Sequence, residues 1–172
     1  MFEKQDYKDK KSIIIYFSRA GENYGVGYID KGNTEIVAEY IKKITGADIF
    51  KVERKVPYSN DYRACVKEVE AEQTNGEKPE LLYTLNNIDD YEVVYIGSPV
   101  YCGLLPQPLV VQLEKLNWTG KIVRPFTTHE GSGLGNILSQ LKGICKGAEV
   151  TSGLAVRGSL VSTAYDEVKE WV

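Results

Sequence analysis

Short apolar runs rich in β-branched residues recur along the chain, and longer segments with an apolar stripe separate them. The run Ser12–Phe17 is almost wholly apolar, which predicts a strand covered on both faces. Further apolar runs predict four more strands, at Ala47–Val52, Glu92–Gly97, Lys121–Thr127 and Glu149–Val156. Strands that alternate with helices need crossover connections, so the pattern predicts a parallel sheet with helices on both faces.

The segments between these strands place apolar residues on one helical face. The predicted helices run from Asn33 to about Thr45, from about Asp61, from Pro106, from Leu134 to Gly143, and from about Ser162 to Val172. The sequence therefore predicts one α/β domain over residues 1–172, a three-layer, doubly wound, five-stranded parallel sheet. Residues 1–11 form a charged N-terminal extension of that domain.

Doubly wound sheets bind ligands at the carboxyl ends of their strands, so the loops that follow the strands are the candidate site. The loop after the first predicted strand begins with Ser18 and ends in Asn33 and Thr34, directly before a helix. Free N–H groups and the positive end of the helix dipole attract a phosphate there. Helix capping alone explains Asn33 and Thr34 but not Ser18, Arg19 and the glycine-rich length between them, so a phosphate site is favoured.

Two further loops suit a planar ring. After the third predicted strand, two prolines and a glycine hold an exposed aromatic residue, Tyr101, beside the small Cys102, and a ring system can stack on it. The alternative is an apolar contact that fixes the start of the next helix. After the fourth, glycines let the backbone approach a ligand and aim N–H groups at its edge, where the chain's only histidine, His129, also lies.

These loops resemble, in order and position, those of the bacterial flavodoxins. The shared pattern reads Phe-Ser-x-x-Gly-Asn-Thr, then Ser/Tyr-Pro-x-Trp/Tyr-x-Gly-x-x-Pro, then Thr-His-x-Gly-Ser-Gly-Leu-Gly, and the resemblance covers the chain from Ser12 onward. It implies the flavodoxin-like strand order 2-1-3-4-5 and the cofactor FMN. It also implies three sets of cofactor-binding residues: Ser18, Arg19, Ala20, Asn33 and Thr34; Pro99, Val100, Tyr101, Cys102 and Gly103; and Thr128, His129, Glu130, Gly131 and Gly133.

The sequence departs from the flavodoxin pattern in three places. Ala20 stands where relatives often have a hydroxyl, and Cys102 replaces a frequent second aromatic residue. Eleven extra residues, Gly21 to Lys31, split the phosphate motif. Their apolar members, Tyr24, Tyr28 and Ile29, predict packing near the ribityl or phosphate end of the ligand or at a subunit contact; the alternative is a mobile surface excursion.

Composition narrows the function classes. The net charge of −3 gives no reason to expect nucleic acid or an anionic membrane as a partner. The apolar run at residues 13–17 is too short for a signal peptide or a membrane span, which predicts a cytoplasmic protein. Cys65, Cys102 and Cys145 form no C-x-x-C pair, which argues against a disulfide scaffold and a metal site; Cys65 and Cys145 are predicted to be buried.

Two functions follow from the resemblance. In the first, favoured here, the protein is an electron carrier without catalytic residues, a monomer or weak dimer whose partners are other redox proteins. In the second it is an NAD(P)H-dependent quinone or FMN reductase, which needs a second pocket. The absence of a nicotinamide motif favours the carrier, whereas the modest net charge counts slightly against it. A dinucleotide-binding Rossmann domain is excluded, because no G-x-G-x-x-G motif directly follows a predicted strand.

Overall fold

The computed structural model describes residue 7 and residues 9–172. Its strands are, in chain order, β1 (Ser12–Tyr16), β2 (Gly21–Asn23), β3 (Gly27–Ile29), β4 (Asp48–Lys51), β5 (Val93–Pro99), β6 (Ile122–His129), β7 (Glu149–Val150) and β8 (Leu154–Arg157). Its α-helices are α1 (Asn33–Thr45), α2 (Tyr62–Asn75), α3 (Gln107–Glu114), α4 (Ile137–Ile144) and α5 (Tyr165–Trp171). A 3-10 helix at Gly158–Thr163 precedes α5.

The main sheet is parallel, with the spatial order β4, β1, β5, β6 and then β7 and β8 beside β6. This is the order 2-1-3-4-5 in terms of the five predicted strands, so the fold-class prediction is confirmed. The sheet reverses its winding between β1 and β5, which places a ligand site at the carboxyl ends of these strands.

The last strand is broken, contrary to the prediction of one strand over Glu149–Val156. Ile122 pairs with Glu149, but Phe126 pairs with Leu154, so the register advances by one residue between the two halves. The extra residue must leave the ladder, as in a β-bulge, and the chain between β7 and β8 is therefore irregular.

Helices cover both faces of the sheet, which explains the continuous apolar runs. On β1, Ile13 and Ile15 face a core formed with α2, α3 and α4, whereas Ile14 and Tyr16 face a core formed with α1 and α5. All residues of β1 are buried. Strands that bury both faces cannot alternate polar and apolar residues.

The starts of α1 and α2 differ in how they are capped. The Asp61 carboxylate accepts a hydrogen bond from the Ala64 N–H at 2.8 Å and caps α2, whose start near Asp61 was predicted. Asn33 does not cap α1: it is the first helical residue, and the capping position is Gly32. The predicted final helix is also shorter than expected, because the chain first makes the 3-10 helix.

The charged N-terminal extension over residues 1–11 lies mostly outside the described part of the chain, which lacks residues 1–6 and 8. Tyr7 is buried, and the Arg124 guanidinium lies 4.4 Å from the centre of its ring. None of the helices in the described part of the chain is long and apolar enough to cross a membrane.

Candidate functional site

A cavity of about 520 Å³ lies at the carboxyl ends of β1, β5 and β6. The three predicted loops meet around it, together with α2 and the hairpin β2–β3. All but two of the predicted site residues line it: Ser18, Arg19, Asn33, Thr34, Pro99, Val100, Tyr101, Cys102, Gly103, Thr128, His129, Glu130 and Gly131. The exceptions are Ala20, which is exposed, and Gly133, whose carbonyl accepts a hydrogen bond from the Thr127 hydroxyl at 2.8 Å.

The start of α1 is built to hold an anion. Ser18 reaches across from the end of β1, and its hydroxyl accepts a hydrogen bond from the Glu35 N–H at 3.1 Å. The N–H groups of Asn33 and Thr34 have no partner within the helix, because the first turn has no preceding carbonyls. Together with the helix dipole, they form an anion site made of neutral donors.

A hydroxyl pair joins this end of the cavity to the loop after β6. The side-chain oxygens of Thr34 and Thr128 are 2.7 Å apart, and both residues are buried. One hydroxyl hydrogen is used within the pair, which leaves the other to donate to a ligand.

Arg19 lines the cavity, but its guanidinium is engaged elsewhere. It donates to the backbone carbonyls of Glu22, Ser59 (2.7 Å) and Asn60 (3.0 Å). Glu22 belongs to the hairpin, and the other two residues precede α2. The side chain therefore ties two segments of the cavity wall together.

The eleven inserted residues form the hairpin β2–β3, which the sequence did not predict. Tyr24 and Ile29 line the cavity, while Tyr28 is 69% exposed and does not. The Tyr24 ring lies 6.0 Å from that of Tyr62 on α2. The three-residue turn, Tyr24 to Val26, contains Gly25 and is followed by Gly27, and this is the sequence signal that could have identified the hairpin.

The loop after β5 makes a tight two-residue turn. Tyr101 and Leu104 exchange two backbone hydrogen bonds of 2.9 and 3.0 Å. Between them, Cys102 has φ of 50° and Gly103 has φ of 80°, as in a type I′ turn. Cys102 is exposed.

Tyr101 is more buried than predicted. Its ring contacts Phe17 and Tyr58 edge to face, at centroid distances of 6.0 and 6.2 Å. Burial and, to a smaller extent, interaction with the Cys65 thiol raise the pKa of Tyr101 well above its usual value of 10. Tyr101 therefore lines the cavity as a neutral, fixed side chain, which also packs against the core on this side of the sheet.

The loop after β6 fixes the tautomer of His129. The Gly131 N–H donates to Nδ1 at 2.9 Å, so in the neutral ring the proton is on Nε2. Burial, with the positive charge of Arg157, lowers the pKa of His129 below 6.5. The ring is therefore a neutral donor at pH 7.

Glu130 does not direct its carboxylate freely into the cavity. It accepts hydrogen bonds from the Ser159 N–H and, at 3.2 Å, from the Ser159 hydroxyl, and Arg157 Nη1 lies 3.8 Å away. The segment after β8 is thereby held against the loop.

Sequence reasoning missed the contribution of α2, because no motif marks it. Four of its residues line the cavity: Tyr62, Cys65, Val66 and Val69. Cys65 and Cys145 are buried as predicted. Within the described residues, no group of His, Cys, Asp and Glu side chains could hold a metal ion.

Comparisons with known proteins agree with this geometry. Residues 11–172 match the protein-family model described as Flavodoxin. A protein from Bacteroides uniformis has a similar structure, with a TM-score of 0.75 and 22% identity over 94% of this chain and 97% of that chain. The flavoprotein from Lactobacillus acidophilus, solved in complex with FMN, has a TM-score of 0.63 and 25% identity over 90% of this chain and 97% of that chain. The flavodoxin from Fusobacterium nucleatum, solved with bound flavin mononucleotide, has a TM-score of 0.52 and 16% identity over 94% of both chains. No curated protein matches the sequence.

Proposed function

The chain belongs to the flavodoxin family, and on that premise we propose that it binds FMN in the cavity and carries electrons between redox proteins. The observation that supports this most is the meeting of the α1 start and the two ring loops around one cavity. We further propose that the protein acts in the cytoplasm, as a monomer or weak dimer.

The phosphate end of FMN fits the start of α1. The site offers the N–H groups of Asn33 and Thr34, the Ser18 hydroxyl and one hydroxyl hydrogen of the Thr34–Thr128 pair. Gly32 packs so closely that a Cβ on it would lie 2.0 Å from Ser18 Oγ. The loop is thus folded tightly around the point where a phosphate would lie.

The flavin ring fits the other end of the cavity. Val100 and Tyr101 offer apolar and aromatic surface on one side, and Val66 and Val69 extend it. His129 offers a proton on Nε2 as a donor to a polar edge of a ring. These residues orient the ring and exclude water from one face of it.

Bound FMN supplies the redox chemistry, and the chain tunes it. A neutral His129 adds no charge beside the ring. The Tyr101 hydroxyl is buried and protonated, so it adds no charge either. A carboxylate in either place would repel additional negative charge on the ligand, and these two neutral groups do not. No step of the proposal requires a residue of the chain to form a bond with a substrate.

Electron carriage is tested by rapid mixing of the FMN-loaded protein with NADH or NADPH, followed by the visible absorbance of the flavin. A carrier is reduced slowly by either nicotinamide and rapidly by a flavodoxin reductase. Fast bleaching by a nicotinamide alone contradicts the carrier and identifies the protein as an NAD(P)H-dependent quinone or FMN reductase. An apoprotein that takes up no FMN contradicts both functions.

A further inference from the structure

The hairpin β2–β3 leaves and rejoins the domain at the phosphate end of the proposed FMN site, on which this inference rests. Gly21 and Gly32 flank it, and both are packed closely. A Cβ on Gly21 would lie 3.0 Å from Asn60 Oδ1, and one on Gly32 would lie 2.9 Å from the Arg19 backbone nitrogen. The base of the hairpin is therefore fixed next to the start of α1.

The tip of the hairpin reaches the opposite wall. A Cβ on Gly25 would lie 2.9 Å from Glu130 Cγ. Glu130 is itself bound to Ser159, and Gly158 packs so closely on α1 that a Cβ there would lie 2.4 Å from Asn33 Nδ2 and 3.1 Å from Glu130 Oε1. The hairpin, Glu130 and Gly158 thus form a continuous ring around the start of α1, which we call the phosphate collar.

We propose that the phosphate collar makes the hairpin a specificity-determining wall, which admits a flavin ending in a monophosphate and excludes one whose phosphate continues into a second nucleotide, as in FAD. The extension of a dinucleotide has to leave the α1 start through the space that the collar encloses.

Arg19 is the positioning residue for this wall. Its guanidinium donates both to Glu22 in the hairpin and to Ser59 and Asn60 before α2. The planar fork of arginine can hold two segments at once, whereas a neutral glutamine side chain has too few donors to do so. Loss of Arg19 therefore loosens the hairpin without removing the donors at the start of α1.

Calorimetric titration of the apoprotein with FMN, FAD and riboflavin tests the proposal. The variants are Arg19→Gln and a chain in which Glu22–Lys31 is replaced by a short Gly-Ser link. Lys31→Gln is the control, since it removes the same charge at the base of the hairpin, where Lys31 makes only a surface pair with Glu39. Hydrogen exchange of the β2 and β3 amides reports on the hairpin independently of ligand.

We expect the wild type and Lys31→Gln to prefer FMN over FAD by at least about tenfold. In Arg19→Gln and the shortened chain this preference falls about tenfold, while the preference for FMN over riboflavin is kept. The Arg19→Gln variant also exchanges its hairpin amides faster. Two independent variants guard against one that fails to fold.

Several outcomes would overturn the inference. Equal affinity of the wild type for FMN and FAD does so, as does an unchanged FMN-to-FAD ratio in both variants. If Arg19→Gln instead loses the preference for FMN over riboflavin, Arg19 contacts the phosphate and does not act through the hairpin. A wild type that binds no flavin overturns the proposed function as well, whereas FMN binding without selectivity overturns this inference alone.

Discussion

Gly32 is required for close approach and not for an unusual backbone conformation. Its φ of −61° suits any residue, but an alanine Cβ would meet Ser18 Oγ and the backbone of Arg19. We expect Gly32→Ala to lower the free energy of unfolding by about 1–3 kcal/mol, as overpacked sites do, and to weaken FMN binding. Urea denaturation measures the first effect and titration the second. Gly143→Ala is the control: its Cβ meets nothing within 4 Å, so its stability should be unchanged or higher.

Cys102 is the only non-glycine residue with positive φ in the described part of the chain. Asparagine followed by glycine is preferred in type I′ turns, so Cys102→Asn should raise the free energy of unfolding by about 0.5–1 kcal/mol. Gly103→Ala should lower it by about 1–2 kcal/mol, because its φ of 80° strains a residue with a Cβ. Chemical denaturation of both variants measures the two changes in the free energy of unfolding. Two changes of the same sign would show that the turn differs from the one described.

His129 should make stability depend on pH. Its pKa is lowered in the folded protein by burial and by Arg157, so the unfolded chain binds the proton more readily. The contribution of His129 to stability is therefore complete above about pH 6.5 and is lost as the pH falls toward the folded-state pKa. Denaturation at several pH values should show this slope in the wild type and a smaller one in His129→Asn, whose amide oxygen can still accept from Gly131. An NMR titration midpoint at or above 6.5 for this single histidine contradicts the prediction.

At the scale of elements, periodicity predicted the helices and strands well where both faces are buried. The bounds of α1 agree with the prediction, and those of β5 and β6 extend it by two residues at the carboxyl end. The prediction fails where strand register or a tertiary contact determines the local structure. The one-residue advance between β7 and β8 depends on pairing with β6, and the hairpin is held by contacts with Asn60 and Glu130. None of these partners is a neighbour in sequence.

A buried ionic network fixes α2 beside the cavity. Glu72 on α2 is 2% exposed; it accepts hydrogen bonds from Arg54 at 2.9 Å and from the Tyr58 hydroxyl. Glu72→Gln leaves the Arg54 charge without its partner, so it should lower the free energy of unfolding by about 3 kcal/mol. Urea denaturation measures this. In the control, Lys78→Gln, the lost ion pair with Glu114 is exposed and should contribute at most about 0.5 kcal/mol. Equal effects of the two substitutions would contradict the assigned network.

At the scale of the whole molecule, the position of the site was predictable and its inner arrangement was not. Parallel strands bring their carboxyl ends to one edge, so three loops far apart in sequence could be expected to meet. The directions of Arg19 and Tyr101 could not be read in this way. Arg19 binds carbonyls of the segment before α2, and Tyr101 packs against the rings of Phe17 and Tyr58. Only folding brings these partners close.

The central claim is that this cavity holds FMN by its phosphate at the start of α1. Calorimetric titration of the wild-type apoprotein with FMN and with riboflavin tests it most directly. Hydrogen bonds to a charged group contribute about 1.5–3 kcal/mol each, so two or three of them predict an affinity for FMN at least about a hundredfold higher than for riboflavin. Equal affinities for the two flavins would contradict the account.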